Sequence, residues 1–451
     1  MTEAADFLRD HPEIETIDAL LPDLAGYIRG KRISRSDLEK ICKSGFQIPA
    51  SSVMLDVTGD SEDPEGIGFS DGDPDATARP IAGTLVPVPW FERPMAQVLV
   101  SLFNDDGTTH EIDPRGILAR VVDRLRERGL HPTVALEQEF YLLDPEGALE
   151  GNPRPPILPA TGRRVSGMQV LSISELEGFA LFLDQVTASC KTQKIAIGPV
   201  SSEYAIGQYE INLMHTNDPL AAADAAILLP RTVKGVARQH GIEATFMAKP
   251  YADQSGSGMH MHVSLVDDDG NKVFSGGGET GTEMLHHATG GMLATMADAM
   301  AIYAPNINSY RRFAPDIYVP VRRSWGVNNR SVAIRIPGGD DANRRVEHRI
   351  AGADANPYLA LAATLAGIHH GITNKIAPPE ISTGNAGSEL DPDLPFKWDK
   401  ALDMLAASTV MADYFGERYI RAYVATKRGE MERFMAKASP QEYAWYLRPD
   451  G

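Results

Sequence analysis

Residues 134–141 read Val-Ala-Leu-Glu-Gln-Glu-Phe-Tyr, an alternation of apolar and polar side chains that predicts a β-strand. Successive side chains of a strand point to opposite faces, so Leu136 and Phe140 would share one face. Glu137 and Glu139 would share the other face. The strand therefore turns an apolar side towards a core and presents two carboxylates on the side away from it.

Four further segments carry polar groups on one side of a similar pattern. These groups are His260, His262 and Ser264 in residues 258–265, Arg335 in residues 330–337, Arg345, Glu347 and Arg349 in residues 345–350, and Glu203 and Glu210 in residues 202–212. A flat strand would place Glu203 and Glu210 on opposite faces, because they are seven positions apart. Gly207 between them can supply the turn or bulge that brings them together.

A polar face on a single strand is ordinarily a solvent-exposed sheet face, but five such segments in one chain favour a shared site. Carboxylates within about 4–6 Å of one another repel in a partly buried site, and divalent cations relieve that repulsion. Carboxylate oxygens select hard ions such as Mg²⁺ or Mn²⁺, whereas Zn²⁺ would be expected with cysteine or more histidine. Arginines beside such ions hold phosphoryl groups, so the pattern predicts a metal-dependent phosphoryl-transfer enzyme.

The composition of the 451-residue chain is that of a globular protein with sizeable cores, since 43% of its residues are hydrophobic and 23% are charged. Its 61 acidic residues outnumber 43 basic ones, and the net charge of -18 argues against nucleic acid or an anionic membrane as a partner. Cys42 and Cys190 form neither a disulfide framework nor a metal motif. No signal peptide or run of about 18 apolar residues is present, so we expect a cytoplasmic location.

The order of elements predicts two domains, residues 1–108 and residues 109–451. The elements expected are short strands near residues 51–57 and 97–103, a surface loop at residues 59–80, a helix from Asp113-Pro114 to Gly129, helices at residues 221–240 and 356–372, and a helical stretch at residues 400–435. Gly26 to Lys31 is one residue short of a Walker loop, and no lysine follows the glycines at residues 276–278. Any nucleotide must therefore be held without a Walker loop.

The sequence also contains a set of longer motifs in a characteristic order. They are Glu137-Gln-Glu139-Phe-Tyr, Glu203 to Glu210, Lys249-Pro250 with Gly256 to His262, Asn308 to Arg312, Asn329 to Pro337, Arg345 to Arg349, and Asn356-Pro357-Tyr358. Together they resemble bacterial type I glutamine synthetases over about residues 15–450. The resemblance implies an α+β fold with an N-terminal β-grasp domain and a catalytic domain whose curved antiparallel sheet is surrounded by helices. It also implies a homo-oligomer, usually a dodecamer of two hexameric rings with active sites between subunits.

The resemblance assigns roles to individual residues. Glu139, Glu203 and Glu210 match ligands of a first metal ion, and Glu137, His260 and Glu347 match ligands of a second. His262, Ser264, Arg335 and Arg345 match residues that contact ATP, and Gly256, Arg312 and Arg349 match residues that bind glutamate. Asp23, Arg330 and Glu203 match the catalytic residues, of which Arg330 meets the transferring phosphate. Asp23 would reach a neighbouring subunit's site and take a proton from the incoming amine.

This inventory suits the joining of an amine to a carboxylate. ATP would convert the γ-carboxylate of glutamate into an acyl phosphate, which has a good leaving group. The amine must attack as a neutral species, so a carboxylate base is needed. Mg²⁺ or Mn²⁺ and the arginines would neutralise the moving phosphate.

Three positions depart from glutamine synthetase proper. A flap glutamate that closes over the ammonium site is replaced here by Tyr318, and Ser255 stands where an asparagine is usual. The tyrosine that is adenylylated in true bacterial enzymes is missing around residues 389–395. With these departures the chain looks like the γ-glutamylpolyamine synthetase branch, which joins glutamate to putrescine, related polyamines or small monoamines such as ethanolamine in amine catabolism.

Three other functions compete with this one. Authentic glutamine synthetase would use ammonium. A catalytically silent relative with a structural or regulatory role would typically have lost metal ligands, whereas all six are present. A guanidino kinase would not need the Asp23 segment. The motifs do not choose between Mg²⁺ and Mn²⁺, or between a diamine and a monoamine.

Overall fold

The computed structural model describes residues 3–168 and 170–447 of the chain. In that part of the chain the strands are β1 (Thr16–Pro22), β2 (Ile28–Ser34), β3 (Phe46–Pro49), β4 (Asp75–Pro80), β5 (Val86–Pro87), β6 (Met95–Phe103), β7 (Leu130–Leu143), β8 (Ile197–Ser202), β9 (Gln208–Leu213), β10 (Glu243–Thr245), β11 (Met259–Asp267), β12 (Trp325–Val327), β13 (Ile334–Ile336) and β14 (Val346–His348). The α-helices are α1 (Glu3–Asp10), α2 (Leu38–Ser44), α3 (Pro114–Arg126), α4 (Pro145–Leu149), α5 (Ile173–Gly178), α6 (Ala180–Thr192), α7 (Pro219–Gln239), α8 (Glu283–Thr295), α9 (Met300–Tyr303), α10 (Pro357–Asn374), α11 (Trp398–Ala407), α12 (Thr409–Phe415), α13 (Glu417–Met435) and α14 (Pro440–Tyr446).

The N-terminal strands form one sheet in the order β2-β1-β6-β4-β3, with β5 also paired to β6. Its two central strands, β1 and β6, run parallel, and the other pairs are antiparallel. Helix α2 connects β2 to β3 and packs on β4. This is the β-grasp arrangement that the resemblance implied.

Of three expectations about the N-terminal region, one is confirmed, one is wrong and one is right only in part. The strand predicted at residues 97–103 lies within β6, which is almost wholly buried. Residues 51–57 form no strand, because a 3₁₀ turn at Ala50–Val53 leads into a loop that the Asp56 carboxylate holds. The predicted surface loop at residues 59–80 is present and mostly exposed at residues 59–74, but its last residues form β4, where Ala76 and Ala78 are buried.

The second sheet has the order β12-β13-β14-β11-β7-β9-β8, with β10 also paired to β7. It is antiparallel except for the pair of β12 and β13. The central strand β7 alternates buried and half-buried residues from Leu130 to Phe140, as predicted. Helices α3 and α7 contact β7, while α10 packs on α8 and α3. The helices therefore cover the apolar side of the strand and leave the side of Glu137 and Glu139 available.

The interior helices begin and end close to the predicted residues. The Asp113 carboxylate accepts a hydrogen bond from the Gly116 N–H at 2.7 Å and caps α3, and Gly129 follows the helix with a φ of +67°. The stretch at residues 400–435 is helical as predicted but forms parts of three helices, because it is interrupted at Ser408 and Gly416. Within residues 3–168 and 170–447, no helix combines the length and apolarity needed to span a membrane. The division at residue 108 stays a prediction.

Candidate active site

The polar faces of four neighbouring strands meet in the second sheet. His260 on β11 lies opposite Glu137 on β7, and Glu139 on β7 lies opposite Glu210 on β9. On the other side of β11, His262 lies opposite Glu347 on β14. Paired residues of adjacent strands share a face, so the sheet gathers these carboxylates and imidazoles on one surface, as the alternation predicted.

Glu137 is the centre of this surface. Its Oε2 lies 3.2 Å from His260 Nδ1, and its Oε1 lies 2.9 Å from His262 Nε2. Burial would raise the pKa of Glu137, but the hydrogen bonds to the two histidines outweigh it and hold that pKa well below its usual range. Arg345 Nε donates to His262 Nδ1 at 3.3 Å, so His262 lies between this guanidinium and Glu137.

At three further carboxyl groups beside Glu137, the favourable contacts do not offset the cost of burial. Burial raises the pKa of Glu139 to about 7, and the charges of Glu203 and Glu210 act in the same direction. Burial also raises the pKa of Glu203 to about 7, with Glu210 adding to it and the Arg330 guanidinium opposing it. The pKa of Glu210 is likewise raised to about 7 by burial and by Glu137. Negative charge on these groups is therefore costly in the protein alone.

This donor set fits divalent cations. One ligand atom each from Glu137, His262 and Glu347 lies within 4.8 Å of the others, and the same holds for Glu137, Glu210 and His260. Carboxylates with one or two imidazoles are a donor set typical of Mg²⁺ and Mn²⁺. The two groups differ from the expected triads, because Glu137 belongs to both and His262 joins one of them. The expected ligand assignments stay predictions.

Glu347 is bound by two arginines. Arg335 Nη1 donates to its Oε2 at 2.8 Å, and Arg349 Nη1 donates to its Oε1. Burial opposes the charge of Glu347, but Arg349 and the nearby histidines lower its pKa to about 2. This carboxylate therefore stays ionised and fixes both guanidinium groups beside the cluster.

Arg312 is enclosed next to the loop that contains Gly256. It is 2% exposed, and its Nη1 donates to the carbonyl of Ile350 at 3.0 Å. A Cβ on Gly256 would lie 2.6 Å from Arg312 Cγ, so the loop can approach the arginine only as glycine. Among the described residues, the Nε atoms of Arg312, Arg335 and Arg349 are buried without a hydrogen-bond partner. Buried donors of this kind are suited to an anionic substrate.

Comparison with known proteins identifies the family of this chain. The family described as glutamine synthetase, catalytic domain, matches residues 111–446. The chain belongs to the glutamine synthetase family.

Relatives in the glutamine synthetase family include ligases for larger amines. Gamma-glutamylputrescine synthetase of Escherichia coli is 41% identical over 99% of this chain and 94% of that protein. Glutamate–isopropylamine ligase of Pseudomonas sp. is 34% identical over 98% of this chain and 96% of that protein. A solved structure described as apo GmaS without ligand has a TM-score of 0.85, with 26% identity, 99% of this chain covered and 100% of that chain. The resemblance found in the motifs and the α+β fold are both confirmed.

Asp23 lies outside the cluster of carboxylates and histidines around Glu137 in its own chain. Its carboxylate is wholly buried, accepts N–H groups of Ala25 and Tyr27 at 2.9 Å, and accepts Arg29 Nε at 2.8 Å. Burial raises the pKa of Asp23 to about 6 against the effect of Arg29. Asn356 Nδ2 holds the Asp23 carbonyl at 2.8 Å. A role in a neighbouring subunit stays a prediction.

The remaining expected residues lie at the rim of the cluster. Arg330 is exposed and close enough to Glu203 to lower the pKa of that carboxyl. Ser264 is half-buried on β11, four residues after His260, and so on the same face. Tyr318 is 70% exposed in the loop after Arg312 and makes no described contact with the carboxylates.

Sequence reasoning missed two amides of the site. Gln208 Nε2 donates to Glu139 Oε2 at 3.2 Å and to the Gly256 carbonyl at 3.1 Å. Asn212 Nδ2 donates to Glu210 Oε1 at 2.9 Å. The signal was present, because residues 208, 210 and 212 alternate along β9 and therefore share the face of Glu210.

Proposed function

We propose that this protein joins the γ-carboxylate of glutamate to a primary amine larger than ammonia, at the expense of ATP and through γ-glutamyl phosphate. The convergence of Glu137, Glu139, Glu210, His260 and Glu347 with buried arginines on one sheet face carries the proposal. The relatives that use putrescine and isopropylamine support a larger amine. So does Tyr318, which stands where an ammonium-using flap has a carboxylate.

In the first half of the reaction the γ-carboxylate of glutamate must approach the γ-phosphate of ATP, although both are negatively charged. Arg312 and Arg349 would hold glutamate, while Arg335, Arg345, His262 and Ser264 would contact ATP. A γ-carboxylate oxygen of glutamate attacks the γ-phosphorus of ATP, and the bond to ADP breaks. Arg330 would stabilise the charge of the transferring phosphoryl group. When bound by Glu137, Glu139, Glu203, Glu210, His260 and Glu347, Mg²⁺ or Mn²⁺ would supply further positive charge for both substrates.

The second half of the reaction forms the amide. The amine nitrogen attacks the γ-carbonyl carbon, the C–O bond to phosphate breaks, and the nitrogen loses a proton. Asp23 of an adjacent subunit would take that proton, which requires a homo-oligomer and the release of this carboxylate from Arg29 and from its buried position. We propose a cytoplasmic dodecamer of two hexameric rings, in which residues 1–108 of one chain face residues 109–451 of the next.

The test is phosphate release with glutamate, ATP, Mg²⁺ or Mn²⁺ and a panel of amines: ammonium, putrescine, ethanolamine and isopropylamine. We expect at least one larger amine to exceed ammonium in kcat/KM by about 100-fold or more, a difference of about 2.7 kcal/mol in transition-state binding. Equal use of ammonium would make the protein an authentic glutamine synthetase. If none of the amines supported metal-dependent turnover of ATP, the catalytically silent alternative would be favoured.

Tyr318→Glu tests the flap directly. Restoring a carboxylate there should move the preference towards ammonium by about tenfold, since a nearby anion binds the small cation better than an aromatic ring does. Tyr446→Glu is the matched control, because Tyr446 is 78% exposed on α14. An unchanged preference in Tyr318→Glu would remove Tyr318 from the amine site.

A further inference from the structure

Residues 384–387 lie between two parts of the proposed active site, and we call them the clasp. On one side of the clasp is the flap, residues 313–320, which carries Tyr318. On the other side are residues 329–331, which carry Arg330. Hydrogen bonds join the clasp to both neighbours, and most of them run to side chains.

Two hydrogen bonds join the clasp to the flap, and a third within the clasp completes a ring. Asn385 Nδ2 donates to Asp316 Oδ1 at 2.9 Å, and the Asp316 N–H donates to the Gly387 carbonyl at 2.9 Å. The Gly387 N–H donates back to Asn385 Oδ1 at 2.9 Å. Asp316 has a φ of +60°, a conformation that Asp and Asn adopt more readily than most residues. The flap backbone therefore already has the shape that this contact requires.

On its other side the clasp is hydrogen-bonded to Asn329 and Ser331, the two neighbours of Arg330. The Ala386 N–H donates to Ser331 Oγ at 2.9 Å, and Asn329 Nδ2 donates to the Gly384 carbonyl at 2.8 Å. Ser331 Oγ and the Ser331 N–H both donate to Asn329 Oδ1, at 2.7 and 2.9 Å. Movement of the clasp would therefore disturb the side chains of the two residues that flank Arg330.

We infer that Asn385 is a positioning residue that couples the flap to Arg330, so that the flap is held over the site while γ-glutamyl phosphate is present. The inference rests on the proposed function, since what the flap would shield is γ-glutamyl phosphate. If water attacks the γ-carbonyl carbon instead of the amine, the C–O bond to phosphate breaks. Glutamate and phosphate are then released, and ATP is consumed without an amide. The Asn385 side chain bonds the flap, and the backbone of Gly384 and Ala386 on either side of it bonds the two neighbours of Arg330.

The experiment measures the number of phosphates released per amide formed. In Asn385→Ala we expect amine-independent phosphate release to rise about fivefold, the shift that losing one ordinary hydrogen bond gives to an equilibrium between open and closed states. KM for ATP should stay at the wild-type value. Asn271→Ala is the matched control, because Asn271 Nδ2 also bonds an aspartate, Asp267 Oδ2 at 3.0 Å, in an exposed turn. Its ratio of phosphate to amide should not change.

A reciprocal exchange separates positioning from general damage. Asn385→Asp alone places two carboxylates together and should raise the ratio of phosphate to amide. Asn385→Asp combined with Asp316→Asn restores one donor and one acceptor, and asparagine tolerates the backbone of residue 316. The double variant should return the ratio towards the wild-type value.

Hydrogen exchange of the flap gives a readout that does not depend on activity. In Asn385→Ala the amides of residues 316–319 should exchange faster than in the wild type, and those of residues 267–272 should not. Unchanged flap exchange, or a wild-type ratio of phosphate to amide in Asn385→Ala, overturns the inference. Failure of the wild-type protein to form any amide would overturn the proposed function, while the exchange experiment would still decide whether Asn385 holds the flap.

Discussion

Two buried carboxyl groups of this molecule have opposite electrostatic states. Asp56, in the loop before β4, is fully buried, yet hydrogen bonds from Thr58, the Asp60 N–H and Arg433 overcome its burial and lower its pKa to about 2. Glu139, on β7, has a pKa raised to about 7 by its burial. Burial alone therefore does not set the state of a carboxylate. Asp56 has a cation of its own, whereas Glu139 has further carboxylates beside it.

The comparison distinguishes a structural site from a functional one. The partners of Asp56 close the N-terminal loop onto α13, and nothing further is needed to balance its charge. Glu139, Glu203 and Glu210 form a set whose negative charge exceeds what the surrounding residues offset. Such an imbalance is typical of a site that acquires cations from solution.

Replacing Glu139 with glutamine should have the largest effect. We expect a loss of activity of about 1,000-fold or more, because removing a charged ligand weakens the electrostatic stabilisation of the phosphoryl group. The metal-free protein should be as stable as the wild type or more stable, since a costly buried charge is gone. Steady-state rates and thermal unfolding in a chelator measure the two effects. Lower stability of the metal-free variant would contradict the comparison.

The pH dependence of stability should differ between the two sites. Glu139, Glu203 and Glu210 have folded-state pKa values near 7, above the usual value for glutamate, so they stabilise the fold at low pH. That contribution is lost as the pH rises through 7. The metal-free protein should therefore lose on the order of 3 kcal/mol of unfolding free energy between pH 5.5 and pH 8.

Saturating Mn²⁺ should remove most of this loss at pH 8, because bound cations favour the ionised carboxylates. The lowered pKa of Asp56 makes its own contribution constant over the same interval, since that contribution is lost only as the pH falls towards 2. Thermal unfolding at several pH values, with Mn²⁺ and with a chelator, measures both. Equal loss of stability with and without Mn²⁺ would count against a cation site.

Asp56→Asn should have the smallest effect of the three, a destabilisation of about 2 kcal/mol, because it breaks a charged network that is partly open to solvent. Asp105→Asn, in an exposed turn, is the control and should stay within about 0.5 kcal/mol of the wild type. Denaturant unfolding of both variants measures the difference. If Asp56→Asn were as stable as Asp105→Asn, Asp56 would not be a structural site, and the contrast with Glu139 would fail.

The faces of the long strands could be predicted because they depend on local alternation. Glu137, Glu139, His260 and His262 lie on the expected side, and the Asp113 cap starts α3 at the expected residue. Their pairing could not be predicted in the same way, since the register of β7 against β11 and β9 depends on the whole sheet. For this reason the sequence did not predict that Glu137 belongs to both candidate metal-binding groups.

The prediction for residues 51–57 was wrong for a related reason. Arg433, which is 377 positions away, donates to the Asp56 carboxylate and closes the loop. No local pattern reports such a distant partner. The interruption at Gly416 was different, because a glycine inside a helical stretch is a visible signal for a break and its φ is 95°.

The length and the two-residue period of β7 restrict how this protein can change over generations. Inserting or deleting one residue near Leu136 would exchange the two faces of the strand and send Glu137 and Glu139 into the core. Any such change removes the whole carboxylate surface in one step, so changes in the length of β7 cannot alter the site gradually. New preferences for a substrate must arise in the loops at the rim of the sheet, where Tyr318 lies, while the strands stay as they are.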